Sequence, residues 1–186
     1  GPWDITEEMK QSWCDVPHPQ PVDATQFSAE AYNAVRQNFS AMVENIDRWV
    51  GVYVGELEKR GELENTLIVF SSDHGDMLGD HDQWGKSKPG HGSIGVPLIV
   101  AGPGVQQGHV CKLPTTSLDL TATFLQTAGL SVPPGMDSRS LTPLLTGDTD
   151  VHRETVISAL YGWRVAYDGR YKLVVNDQDS AALFDL

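Results

Sequence analysis

The sequence predicts an α/β fold, with helices flanking a mostly parallel sheet and a small antiparallel β unit after it. Three observations predict it. A long amphipathic stretch runs into the apolar, β-branched segment "TLIVF" (66–70). A second such segment, "VPLIVAG" (96–102), is followed by another helical pattern. From residue 155 onward the chain breaks into short apolar runs separated by turn residues. The α/β part is assigned to 1–150 and the antiparallel subdomain to 151–186.

The elements follow in order. Residues 1–27 carry four prolines, three of them in "PHPQP", and read as an irregular surface segment. Ser28 is placed to cap a helix, with Glu30 adding negative charge to its first turn. Tyr32, Val35, Phe39, Met42, Val43, Ile46, Trp49, Val50, Tyr53 and Leu57 recur at helical steps and form one apolar stripe. Gly61 should end that helix, after Lys59 and Arg60. The helix is expected to lie as a layer against the sheet. "TLIVF" and "VPLIVAG" have the continuous apolar texture of strands buried on both faces. "SLDLTATFLQTAG" (117–129) reads as a helix capped by Ser117 and ended by Gly129, burying Leu118, Ala122, Leu125 and Ala128. "TVISAL", "WRVAYD", "RYKLVV" and "ALFDL" are the short strands, with Asp168-Gly169 as a two-residue hairpin turn.

Composition narrows the functional classes. The chain has 186 residues, a formal net charge of −12 and 40% hydrophobic residues, the profile of a globular domain with a core. An acidic surface repels phosphate backbones, so no nucleic-acid partner is expected. No apolar run approaches the length of a membrane span, and "GPWDITEEMK" is not a secretory signal. Cys14 and Cys111 lack zinc-site spacing; one bridge between them stays open, and with it the compartment.

The densest chemistry lies in "FSSDHGDMLGDHDQWGK" (70–86), with four aspartates, two histidines and a lysine. Ligands of open α/β sheets bind beyond the carboxyl ends of strands, which is where Asp73 and His74 fall. Carboxylate oxygens suit hard divalent cations, and imidazole also suits Mn²⁺ or Zn²⁺. Gly75 permits a tight turn, and Lys86 offers a point positive charge to an anion. A solvated polar loop is the competing reading.

"SSDHGDMLGDH", a following "GK" and "VPLIVAGPG" resemble the sulfatase family of the alkaline-phosphatase superfamily. "SLDLTATFLQTAGLSVPPGMDSRSLTPLL" and "GRYKLVV…ALFDL" are similar to further segments of that family, in the family's order. The resemblance implies a partial alkaline-phosphatase-like mixed sheet flanked by helices. It implies Asp73 and His74 as ligands of a divalent cation, Ca²⁺ first and Mn²⁺ or Zn²⁺ as alternatives. Lys86 becomes the catalytic sulfate contact, with Lys88 as fallback. The implied substrate is a small sulfate ester or a sulfated glycan.

The departures from the family pattern matter as much. The nucleophile motif Cys/Ser-x-Pro-x-Arg, whose cysteine becomes formylglycine in many members, is absent from these 186 residues, as is the family's first pair of aspartate ligands. The chain is therefore expected to be the C-terminal part of a sulfatase-like protein, inactive alone. It is expected to be completed by a complementary N-terminal chain or by self-association. A phosphonate or phosphate monoester hydrolase, or a non-catalytic module, are the alternatives. His81 and Asp82 are expected to pack or support the loop. His91 is a weaker candidate for substrate contact, and so is His18 in "PHPQP". Trp84 is expected to pack, and His109 and His152 to lie at the surface.

Overall fold

The computed structural model describes residues 28–178 and 180–186. Its elements are α1 (Ala29–Arg60), β1 (Ile68–Ser71), α2 (His91–Ile94), β2 (Leu98–Ala101), α3 (Asp119–Thr127), α4 (Thr142–Thr146), β3 (Val156–Leu160), β4 (Trp163–Tyr167), β5 (Tyr171–Asn176) and β6 (Ala181–Asp185). Short 3₁₀ turns cover Leu63–Asn65 and Asp80–Asp82. The described chain forms two compact units. One holds residues 28–64 and 74–95, the other residues 65–73 and 96–186.

In the first unit α1 starts and stops where the sequence places it. The Ser28 hydroxyl accepts the Ala31 amide at 3.2 Å. Gly61 takes the left-handed conformation (φ 67°), and the Gly61 and Glu62 amides return to the Glu58 and Leu57 carbonyls. The 32 residues give a rod of roughly 48 Å. Its apolar stripe departs from expectation. Asn38 and Ala41 are its buried positions, whereas Val43, Ile46, Trp49, Val52 and Tyr53 are each about half exposed or more. The first three turns of α1 are instead occupied by the charged loop. Tyr32 donates its hydroxyl to the Gly79 carbonyl, and its ring meets Trp84 edge-on at 4.9 Å. Arg36 donates to the Leu78 carbonyl at 2.6 Å and to the Asp80 carboxylate at 3.0 Å.

In the second unit β1 and β2 pair antiparallel, with Ile68 opposite Ala101 and Ser71 opposite Leu98. This corrects the parallel arrangement expected for these two strands. The connection over 72–97 holds no helix long enough to carry the chain back along the sheet; it leaves and returns at one end. Nor are the two strands buried on both faces. β1 is half-buried throughout and Ile99 of β2 is 62% exposed, because this sheet has only two strands among the described residues. The mixed α/β class itself holds.

α3 is shorter at its start than expected, and Ser117 does not cap it. The Ser138 hydroxyl, distant in sequence, accepts the Ala122 amide at 2.8 Å. Gly129 follows the helix in the left-handed conformation, as expected. The buried face of α3 is Asp119, Ala122 and Thr123, while Leu118 and Ala128 are exposed. The C-terminal sheet runs β3-β4-β5-β6, all antiparallel. Its hairpin turn is set one residue later than Asp168-Gly169. The Asp168 amide bonds the Tyr171 carbonyl, and the Asp168 carboxylate accepts the amides of Arg170 and Tyr171. Trp163, Val165 and Lys172 share its buried face; burial pushes the Lys172 amine down.

Candidate metal and oxyanion site

β1 ends at Ser71, and the chain passes through Ser72 and Asp73 into the loop. Asp73 is exposed, and the Ser72 hydroxyl lies 3.4 Å from its Oδ1. His74 follows directly. Its Nδ1 lies 2.9 Å from the Gly75 carbonyl oxygen. A carbonyl only accepts, so Nδ1 carries the proton. Nε2 then presents its lone pair, and the Lys86 amine approaches that lone pair at 2.9 Å. A backbone carbonyl fixing one ring nitrogen so that the other faces a cation is the usual arrangement of a metal-ligating histidine. Here the Lys86 amine stands at that nitrogen.

The turn after His74 depends on Gly75. Its amide donates to the Ser93 carbonyl at 2.9 Å, and a Cβ built on it would stand 2.0 Å from the Gly92 carbonyl oxygen. Only hydrogen at that Cα lets the two backbone segments approach so closely. Beyond it, Met77 is buried, and its amide bonds the Gly85 carbonyl at 2.9 Å. Gly85 and Ser87, on either side of Lys86, have φ of 70° and 68°.

Of the predicted site residues, His74 and Lys86 are brought into contact, and Asp73 precedes His74 in the chain. Lys88 is exposed, and its amide bonds the Ser93 hydroxyl. Trp84 packs, as expected. His81 and Asp82 do not pack: both are exposed, with φ of 54° and 56°. His91 is exposed and its ring fills the space beside Gly95; His109 is exposed. Cys111 is exposed. His18 and Cys14 lie outside the described residues.

His152 corrects the expectation of a surface residue. Its side chain is 6% exposed and its Nε2 lies 3.0 Å from Asp119 Oδ2. Asp119, fully buried, also accepts from Arg153 Nε at 3.0 Å, Arg153 Nη2 at 2.5 Å and the amides of Arg139 and Thr116. Burial pushes the Asp119 carboxyl up. The Arg153 guanidinium, the Arg139 amide, His152 and the Thr116 amide outweigh it and hold the group down at about 2. The sequence reading missed this cluster. The one signal for it was an aspartate at the start of a helical pattern, which reads as ordinary dipole complementarity.

Residues 12–130 match the sulfatase family, and residues 79–186 match the C-terminal part described as N-sulphoglucosamine sulphohydrolase. The chain belongs to the sulfatase family. It is 35% identical to the choline-sulfatase of Rhizobium meliloti (strain 1021), over 99% of this chain and 40% of that protein. Among solved structures it resembles the phosphonate monoester hydrolase of Silicibacter pomeroyi, with a TM-score of 0.79 at 31% identity over 85% of this chain and 36% of that one. It also resembles BT4656 in complex with its substrate D-glucosamine-2-N,6-O-disulfate, with a TM-score of 0.77 at 26% identity over 87% of this chain and 37% of that one. The chain thus spans about two fifths of the length of these relatives. The alkaline-phosphatase-like architecture read from the sequence is the fold of these neighbours.

The family implies a divalent cation, and the donors present fit one in part. Asp73 offers a carboxylate, and His74 an Nε2 lone pair on which a cationic group already sits. Among the described residues no cluster of three or more His, Cys, Asp or Glu side chains surrounds a common point. Asp73 and His74 are adjacent in the chain and would supply at most two protein donors. Water, substrate oxygens or further protein groups must fill the other ligand positions.

Among the described residues no helix is long and apolar enough to cross a membrane.

Proposed function

We propose that this chain supplies the cation-holding and oxyanion-binding half of a centre that hydrolyses sulfate esters, small molecules or sulfated glycans. The observation that carries the reading is the fixed His74 tautomer with the Lys86 amine at 2.9 Å from its Nε2. Asp73 and His74 would hold the divalent cation, Ca²⁺ first and Mn²⁺ or Zn²⁺ as alternatives. A bound cation polarises the sulfate oxygens as a Lewis acid. With Nδ1 directed to the Gly75 carbonyl, Nε2 is the His74 nitrogen that would ligate. Lys86, whose amine lies beside His74, would contact the sulfate oxygens and neutralise charge developing on them.

The covalent step needs a nucleophile, and no Cys/Ser-x-Pro-x-Arg occurs in the 186 residues. Formylglycine, if used, belongs to a segment outside them. The chain alone should therefore turn over negligibly. The exposed Val43, Ile46, Trp49, Val52 and Tyr53 of α1 support a complementary segment or a second copy covering that face. Sedimentation of the chain as a stable, well-folded monomer would argue against both.

A second reading, phosphonate or phosphate monoester hydrolysis, is favoured by the fit to the Silicibacter pomeroyi enzyme. Assays of the chain with an aryl sulfate and a phosphonate monoester, each with Ca²⁺ or Mn²⁺, test both readings. Negligible turnover is expected for the chain alone. Cation-dependent sulfate binding, lost in Lys86→Ala, is expected by calorimetry. Turnover abolished by Asp73→Ala would contradict the inactivity; sulfate binding indifferent to Lys86→Ala would contradict the site.

A further inference from the structure

One carboxylate oxygen bridges the neck of the loop that carries Lys86. Asp76 Oδ1 accepts the Leu78 amide at 2.8 Å and the Gly85 amide at 3.1 Å. Asp76 lies two residues after His74, and Gly85 lies one residue before Lys86. This carboxylate therefore ties together the two backbone positions from which the imidazole and the amine project.

The bond to the Gly85 amide bears directly on where Lys86 stands. It stands between two left-handed residues, Gly85 and Ser87, outside any helix or strand. The Met77 amide to the Gly85 carbonyl gives a second contact at the neck, but one bond alone leaves a pivot. The Asp76 bond to the Gly85 amide, on the other side of the same residue, removes that freedom. A lysine stem is long and flexible, so where its backbone stands governs how often its amine reaches His74.

We propose that Asp76 is a positioning residue: by holding the Gly85 amide it sets Lys86 opposite His74, so that the amine is in place for the oxyanion. The oxyanion part rests on the sulfatase reading; the positioning part rests on the loop geometry alone. Both contacts use Oδ1 as an acceptor from backbone N–H, a role that an amide oxygen at this position can also fill.

The test is lysine acylation of the full chain, read peptide by peptide by mass spectrometry, together with amide hydrogen exchange at Leu78 and Gly85. In Asp76→Ala the acylation rate of Lys86 should rise about fivefold, the population change that loss of one net hydrogen bond produces. Lys59 and Lys112 should stay at their wild-type rates, and the Gly85 amide should exchange faster. Asp76→Asn keeps an acceptor oxygen and should restore both readings. An unchanged Lys86 rate beside a loosened Gly85 amide would overturn the proposal. So would an Asn variant that behaves like Ala. Should the Ala variant fail to fold, the Asn variant still decides, since raised Lys86 reactivity there refutes the acceptor role. Protection of wild-type Lys86 by molybdate tests the oxyanion reading separately. Its absence, with the Asp76 effect intact, would refute that reading and leave the positioning in place.

Discussion

Two clusters of charged side chains in this chain have opposite logic. Asp119 is fully buried and accepts from Arg153, His152 and two backbone amides, so every lone pair has a donor and opposite charge sits beside it. His74 and Lys86 are exposed, and two basic groups face one another. The first arrangement lowers the free energy of the folded chain. The second, at the surface, is expected to do little for it. A buried, saturated carboxylate belongs to architecture; the exposed imidazole–amine contact on a tightly built loop is where the proposed function places chemistry.

Substitutions sharpen the contrast, beginning with the largest effect. Asp119→Ala should cost about 3–5 kcal/mol, the usual penalty for stripping one partner from a buried ion pair, seen as a large drop in melting temperature. Retention of the wild-type melting temperature would break the comparison. Acid should remove the same contribution. The folded-state group titrates at about 2, below its ordinary 3.8. Stability from it is therefore complete above about pH 4 and is lost as pH falls towards 2, with about 2 kcal/mol at stake. An Asp119→Asn variant should show a flatter acid limb in thermal melts across that window.

Gly75→Ala drives a Cβ into the Gly92 carbonyl and should cost about 1–3 kcal/mol by overpacking. Its signature is faster exchange at the Gly75 amide, which bonds Ser93. Lys86→Ala and Asp73→Ala should change stability by less than about 0.5 kcal/mol. Yet they should abolish sulfate and cation binding respectively. A strong loss of stability in either would place these residues with the Asp119 type. The smallest effect belongs to Arg170, whose pairing with Asp185 lies at the surface. Arg170→Ala should leave the melting temperature unchanged.

Local signals in the sequence carried far. Ser28 and Gly61 bracket α1 as read, since caps depend on neighbouring backbone alone. The four C-terminal strands sit where the turn residues separate them. Strand direction was not legible: β1 and β2 are antiparallel because of how the 72–97 segment folds back, which no strand-length pattern encodes. The start of α3 was misread for a similar reason. Its amide is taken by Ser138, which reaches it only in the folded chain. At the site, the residue types and the spacing of His74 and Lys86 were visible, and they do meet. Asp76 was not singled out, because one more aspartate in an acidic loop carries no signal until its oxygen is seen on the Gly85 amide. His152 looked like a surface residue because its partner, Asp119, lies 33 positions away.

The central claim is that His74 Nε2 and the Asp73 carboxylate accept a divalent cation in place of the Lys86 amine. Mn²⁺ added in trace amounts to isotope-labelled chain tests it through paramagnetic broadening in NMR spectra. The account predicts that the His74 ring and Asp73 signals broaden first, that the Lys86 side-chain signal shifts as its amine leaves the imidazole, and that Asp73→Ala abolishes both. Broadening that begins at the exposed acidic residues of α1 and spares His74, with the Lys86–His74 contact undisturbed, would contradict it.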